Sequence, residues 1–185
     1  MKKRKVILMK LQTAMLTSNC YFLGFMGAGK SHVCQLLGKE HQLPVVDLDQ
    51  LIEKQEGQSI AAIFEQKGEA YFREVEQKAL HSTLELPPSL VALGGGTPIY
   101  NNNMDWIKAH GKSVFLDPPL STLLKRLEGE RAHRPLLANL STQELEKSVQ
   151  TRLEARRPIY EKADLCIHSN STFLTLKFCS DYLKL

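Results

Sequence analysis

The chain has 185 residues, 43% hydrophobic and 24% charged, with a formal net charge of +4. That balance excludes a disordered chain, and the length suits one domain able to bury its own core. The positive excess is too mild to argue for nucleic acid and suits a site for small anions.

Met1 to Lys5 is basic and leads into Val6-Ile7-Leu8-Met9, but Lys10 interrupts the run, which argues against a secretory signal. No other stretch reaches the roughly 20 apolar residues that span a bilayer, so a cytoplasmic protein with no membrane partner is expected. Cys20-Tyr21-Phe22-Leu23 reads as a first strand running into glycines, and His32 to His41 as a helix. Pro44 to Asp47 reads as a second strand, followed by helices over Leu51–Glu56 and Ser59–Leu84 with breaks at Gly57 and near Gly68. Ser89 to Leu93 reads as a third strand closed by Gly94-Gly95-Gly96. A helix over Met104–His110, a strand over Ser113–Leu116 and a helix over Leu120–Leu127 follow. Glu128 to Asn139 is polar and reads as a loop long enough to move. Ser141 with Glu144 three residues on forms a capping-box pattern opening a helix to Glu161. A fifth strand over Ala163–Ile167 and a helix over Phe173–Leu185 close the chain. Cys20, Cys34, Cys166 and Cys179 form no close pair of the kind that holds zinc or exchanges thiols, which predicts free thiols.

Strands alternating with helices imply parallel pairing with both sheet faces covered. The predicted architecture is a three-layer αβα sandwich around a five-stranded parallel sheet. Ligands in such sheets sit beyond the carboxyl ends of the strands, which puts Gly24, Asp47, Gly94 and Asp117 on one rim.

Gly24-Phe25-Met26-Gly27-Ala28-Gly29-Lys30-Ser31 satisfies G-x-x-x-x-G-K-[ST] between a predicted strand and a predicted helix. Backbone N–H groups from Gly27, Ala28 and Gly29 can curl around phosphates at a helix N-terminus. Lys30 should reach the β- and γ-phosphates of ATP, and the Ser31 hydroxyl should ligand Mg²⁺. His32 directly follows and is counted with the nucleotide site. Asp47-Leu48-Asp49 closes the second strand, and in an extended segment both carboxylates would share one side. One can hold magnesium through water while the other orients or deprotonates an acceptor hydroxyl; an ordinary N-cap aspartate is the competing and compatible reading.

Gly57-Gln58-Ser59-Ile60-Ala61-Ala62-Ile63-Phe64, then Gly68-Glu69 and Phe72-Arg73-Glu74-Val75-Glu76, resembles the shikimate kinase segment G-x-S-I-x-x-I-F…G-E-x-x-F-R-x-x-E. Leu93 to Gly96 resembles that family's glycine triplet, and Arg134-Pro135-Leu136-Leu137 its mobile lid. Arg156-Arg157-Pro158-Ile159-Tyr160 with Ala163-Asp164 resembles its R-x-P-x-Y…A-D signature. The resemblance implies a P-loop kinase fold and transfer of the γ-phosphoryl group of ATP to the 3-hydroxyl of shikimate, in chorismate and aromatic amino acid biosynthesis. It implies Asp49 as the base, Asp47 near magnesium through water, and Arg73, Gly95 and Arg156 as substrate contacts. It also implies Arg134 as a lid arginine closing on the transferred phosphate. Glu76, one turn past Arg73, can orient it or form a modest surface pair with it. Arg131 and Ser169 to Thr172 are weaker candidates for adenine contacts.

Two positions depart from the pattern: His32 and Cys34 stand where the family carries a small hydroxylated residue and a glycine. Cys34 is expected to crowd the helix against the sheet. Residues 1–18 have no counterpart, which leaves a later start at Met15 or a disordered basic tail, with 19–185 as the single domain. A monomer is expected. A gluconate or nucleoside monophosphate kinase, and a catalytically dead relative, stay open as alternatives. The first would need a different acceptor pocket, and the second the loss of Lys30, Asp49 or an arginine.

Overall fold

The strand β1 (Asn19–Leu23) has Cys20, Tyr21, Phe22 and Leu23 all fully buried, which requires cover on both faces. The computed structural model describes residues 16–129 and 141–185. Successive side chains of β1 meet different layers: the Tyr21 ring lies edge-on to Trp106 on one side, while Cys20 lies near Cys179 on the other.

The remaining strands are β2 (Val45–Asp47), β3 (Leu90–Ala92), β4 (Gly111–Leu116) and β5 (Leu165–Ile167). They form one parallel sheet in the order β2-β3-β1-β4-β5, with Tyr21 opposite both Val91 and Ser113. The helices are α1 (Lys30–His41), α2 (Leu48–Glu56), α3 (Ile60–Ser82), α4 (Asn103–His110), α5 (Leu120–Gly129), α6 (Thr142–Tyr160) and α7 (Thr172–Leu183). α1 and α7 pack together on one sheet face, and α4 packs against β4. This is the expected five-stranded αβα sandwich. Leu16 packs against its core, and residues 1–15 lie outside the described residues. Among the described residues no helix is long and apolar enough to cross a membrane.

Several boundaries differ from the sequence expectation. α1 starts at Lys30 rather than His32, directly behind Gly29 with its φ of 95°. α2 starts at Leu48 rather than Leu51, because the Asp47 side chain accepts hydrogen bonds from the Asp49 and Gln50 N–H groups and caps the helix as soon as β2 ends. Glu128 and Gly129, expected in a loop, complete the last turn of α5. The predicted break near Gly68 is a kink inside α3, where φ is 78° and ψ is 176°. The predicted capping box is present at α6: Ser141 N–H donates to Glu144 Oε2 at 2.8 Å, and Glu144 N–H to Ser141 Oγ at 3.3 Å.

Candidate active site

Gly24 turns the chain out of β1 at a φ of +139°, and a Cβ there would stand 2.5 Å from the Leu116 carbonyl oxygen. Only glycine lets the loop pass so close to β4 and then wrap back into α1. The Lys30 ammonium donates to the Gly24 and Phe25 carbonyls at 3.0 Å each, so it lies folded over the loop it follows. Ser31 Oγ donates to Asp47 Oδ2 at 2.5 Å, which ties the first turn of α1 to the end of β2.

A cleft of about 960 Å³ opens over this loop at the carboxyl ends of the strands. Its lining takes in Gly27, Ala28, Gly29, Lys30, Ser31, His32, Asp47, Asp49, Arg73, Gly95 and Arg156. The assumption that Asp47 and Asp49 share an extended segment is wrong: Asp49 sits in the first turn of α2. The cap formed by Asp47 turns both residues into the same cleft. Asp49 is open to the cleft, yet its carboxyl is pushed up to about 6 by the surrounding protein first and then by the negative charge of Asp47 and Glu76. Lys30 pulls in the opposite direction.

In the same lining, Arg73 Nη1 donates to Glu76 Oε2 at 2.6 Å, and Glu76 is only 1% exposed. Thr97 Oγ1 donates to the other Glu76 oxygen at 2.5 Å. Glu69, itself exposed, accepts from Arg73 Nε and Nη2 at 3.3 and 3.1 Å. The guanidinium is thus fixed by a buried carboxylate on one side and touched by a displaceable one on the other. Arg156 Nη1 donates to the Gly95 carbonyl at 3.4 Å, and the Tyr160 hydroxyl donates to the same oxygen at 2.5 Å. In the glycine triplet, Gly94 and Gly96 leave no room for side chains, whereas a Cβ on Gly95 would meet only ordinary contacts at 3.6 Å. A Cβ on Gly94 would fall 2.6 Å from Glu76 Oε1, and one on Gly96 2.4 Å from Arg73 Nη1.

The family model for shikimate kinase matches residues 26–183. The chain belongs to the shikimate kinase family. The shikimate kinase of Sulfurihydrogenibium sp. is 41% identical over 152 residues, covering 82% of this chain and 88% of that one. The crystal structure of shikimate kinase from Bacteroides thetaiotaomicron overlays with a TM-score of 0.83 at 30% identity, covering 90% of this chain and 99% of that one. The Acinetobacter baumannii shikimate kinase, solved in complex with shikimate, overlays with a TM-score of 0.79 at 30% identity, covering 90% and 93%.

Against this family background, the fully buried Cys34 leaves α1 unbroken. The lid arginine Arg134 and the weaker candidate Arg131 lie outside the described residues. Ser169 to Thr172 line the cleft. Sequence reasoning missed three contributors. Arg126 on α5 donates to the Gly27 carbonyl at 2.8 Å and lines the cleft, and nothing in the sequence separates it from a surface arginine. Thr97 directly follows the triplet, and Tyr160 is the last position of the R-x-P-x-Y signature; both could have been found from that adjacency. The Ser31 and Asp47 oxygens suit Mg²⁺, a hard cation that usually takes one or two carboxylates and completes its shell with phosphates and water.

Proposed function

We infer that this chain transfers the γ-phosphoryl group of ATP to the 3-hydroxyl of shikimate, giving ADP and shikimate 3-phosphate in chorismate and aromatic amino acid biosynthesis. The observation that carries this reading is one cleft lined together by a phosphate loop, two guanidinium groups and Asp49. The backbone N–H groups of Gly27 to Ser31 hold the triphosphate, and Lys30 exchanges the Gly24 and Phe25 carbonyls for β- and γ-phosphate oxygens. Arg73 and Arg156 clamp the acceptor carboxylate, Arg73 giving up its contact with Glu69 to do so. Gly95 lets the backbone approach the ring.

Asp49, ionised at neutral pH, accepts the proton of the attacking hydroxyl as its oxygen bonds to the γ-phosphorus and the bond to the β-phosphate oxygen breaks. Ser31 and, through water, Asp47 would hold Mg²⁺, which when bound neutralises charge on the β- and γ-phosphates. His32 is assigned to the nucleotide end. Arg134 is assigned by the family pattern to a lid that excludes water and stabilises charge on the transferred group. We further propose a cytoplasmic monomer with residues 19–185 as its domain. Shikimate-dependent ADP release tests the reading against gluconate and CMP. Turnover should appear with shikimate alone, and equal turnover with either competitor would overturn the assignment.

A further inference from the structure

The carboxylate of Asp117, at the end of β4, is 8% exposed and lies outside the cleft, yet it holds two side chains from different elements. Arg157 on α6 donates from both terminal nitrogens, Nη1 to Oδ2 at 2.5 Å and Nη2 to Oδ1 at 3.0 Å. His168, just past β5, bonds Oδ2 through Nδ1 at 2.8 Å. Each partner is one residue from a group in the cleft. Arg157 adjoins Arg156, which reaches Gly95, and His168 adjoins the Ser169–Thr172 turn, whose Asn170 lines a neighbouring recess with Arg126, the arginine bonded to Gly27 of the phosphate loop. The backbone N–H of Asp117 also donates to the Ile167 carbonyl at 2.9 Å, so the carboxylate sits on a fixed junction of β4 and β5.

We infer that Asp117 is a positioning residue for both substrates: through Arg157 it sets the rotation of α6 that aims Arg156 at the acceptor, and through His168 it holds the turn against the nucleotide. A bidentate arginine–carboxylate pair fixes orientation as well as distance. Tyr160, hydrogen-bonded to Gly95, anchors the same end of α6 from a neighbouring helix face, so the helix is held against rotation by two attachments. Asp117 touches neither substrate. Its two arms are separable, which a simple structural ion pair would not be.

This rests on ATP and shikimate occupying the cleft as proposed above. His168→Ala, which alters a side chain 60% exposed, should raise the KM for ATP about tenfold and leave that for shikimate unchanged. Asp117→Asn should raise both KM values, with kcat at saturation within about twofold of wild type because no reacting group is lost. Should Asp117→Asn fail to fold, the Asp117→Asn/Arg157→Met double variant carries the same expectation without leaving the half-buried guanidinium unpaired. Lowered Tm with wild-type KM values in these variants would overturn the inference and leave a pair that serves only stability. Loss of kcat at unchanged KM would overturn it too. A wild-type protein inactive with shikimate would sink the functional reading instead. Calorimetric ADP binding to His168→Ala would still decide the nucleotide arm, an unchanged Kd rejecting it.

Discussion

Asp49 combines two properties that pull against each other. Although open to the cleft, its carboxyl is pushed up from 3.8 to about 6 by the desolvating cleft walls first and then by the charges of Asp47 and Glu76. Between about pH 4 and 6 the folded protein therefore holds a proton that the unfolded chain, with its ordinary pKa of about 3.9, has released. Stability falls as pH rises through that window and stays lowered above it. As a base, the same group works only when ionised. Asp49→Asn should accordingly lower kcat by about 10²–10⁴-fold while raising Tm at neutral pH and leaving ADP binding intact. In the wild type, kcat/KM for shikimate should fall about tenfold per pH unit below a break near 6 and level off above it. Near-normal turnover by the asparagine variant, or a profile with no break in that region, removes Asp49 as the base. Arg73 calls for a different substitution. Alanine would strand the buried Glu76 carboxylate, whereas Arg73→Lys keeps it paired and loses only the fork. Lysine there should raise the KM for shikimate by about 10–100-fold with the KM for ATP unmoved, the loss expected for one charge-assisted hydrogen bond. An unchanged shikimate KM would mean that Arg73 is occupied with Glu69 and Glu76 alone.

Elements carry the site by their ends and their breaks. The alternation of strands and helices and the G-x-x-x-x-G-K-[ST] spacing are local signals, so β1, the phosphate loop and the capping box at Ser141 were legible in the sequence. The N-cap aspartate, named in the sequence as a reading compatible with a catalytic one, is Asp47; what the sequence did not show is that the cap takes Asp49 out of the extended strand and into α2. The Arg126 contact with Gly27 and the Asp117 junction were not legible either, because each joins residues tens of positions apart that only tertiary packing brings together. Gly68 is the break with most consequence. Its φ of 78° and ψ of 176° lie in a region open essentially to glycine, although a Cβ there would meet nothing within 4 Å. The cost of a side chain is thus backbone strain alone, about 1–3 kcal/mol. Ile60 and Phe64 line the cleft before the kink, while Phe72, Arg73 and Glu76 line it after. Gly68→Ala should lower Tm and, by straightening α3, raise the KM for shikimate while ADP affinity holds. If Tm and KM both stay at wild-type values, the kink does not set the shape of the acceptor end.

At the scale of the molecule, a nucleotide bound in the cleft would touch residues from several elements at once. The phosphate loop follows β1, Ser31 belongs to α1, Asp47 ends β2, and Ser169–Thr172 lead into α7. A ligand that binds only the folded chain stabilises it by mass action, about 2.7 kcal/mol at a hundred times its Kd. For a chain of this length that corresponds to a rise in Tm of roughly 5–10 °C. ADP with Mg²⁺ should therefore raise Tm by that amount. Lys30→Met should lose most of the rise, because the ammonium folds over the phosphate loop at the start of α1. Chelating the metal should cut the rise for wild type, and Asp47→Ala should cut it even with metal present, since the Ser31–Asp47 pair would hold the ion. Asp47→Ala also removes the cap of α2, so its Tm without ligand should start lower and the ligand-induced increment is the quantity to compare. An ADP-induced rise indifferent to both chelation and Asp47 would sink that pair as the magnesium seat, leaving the phosphate loop alone as the nucleotide's anchor.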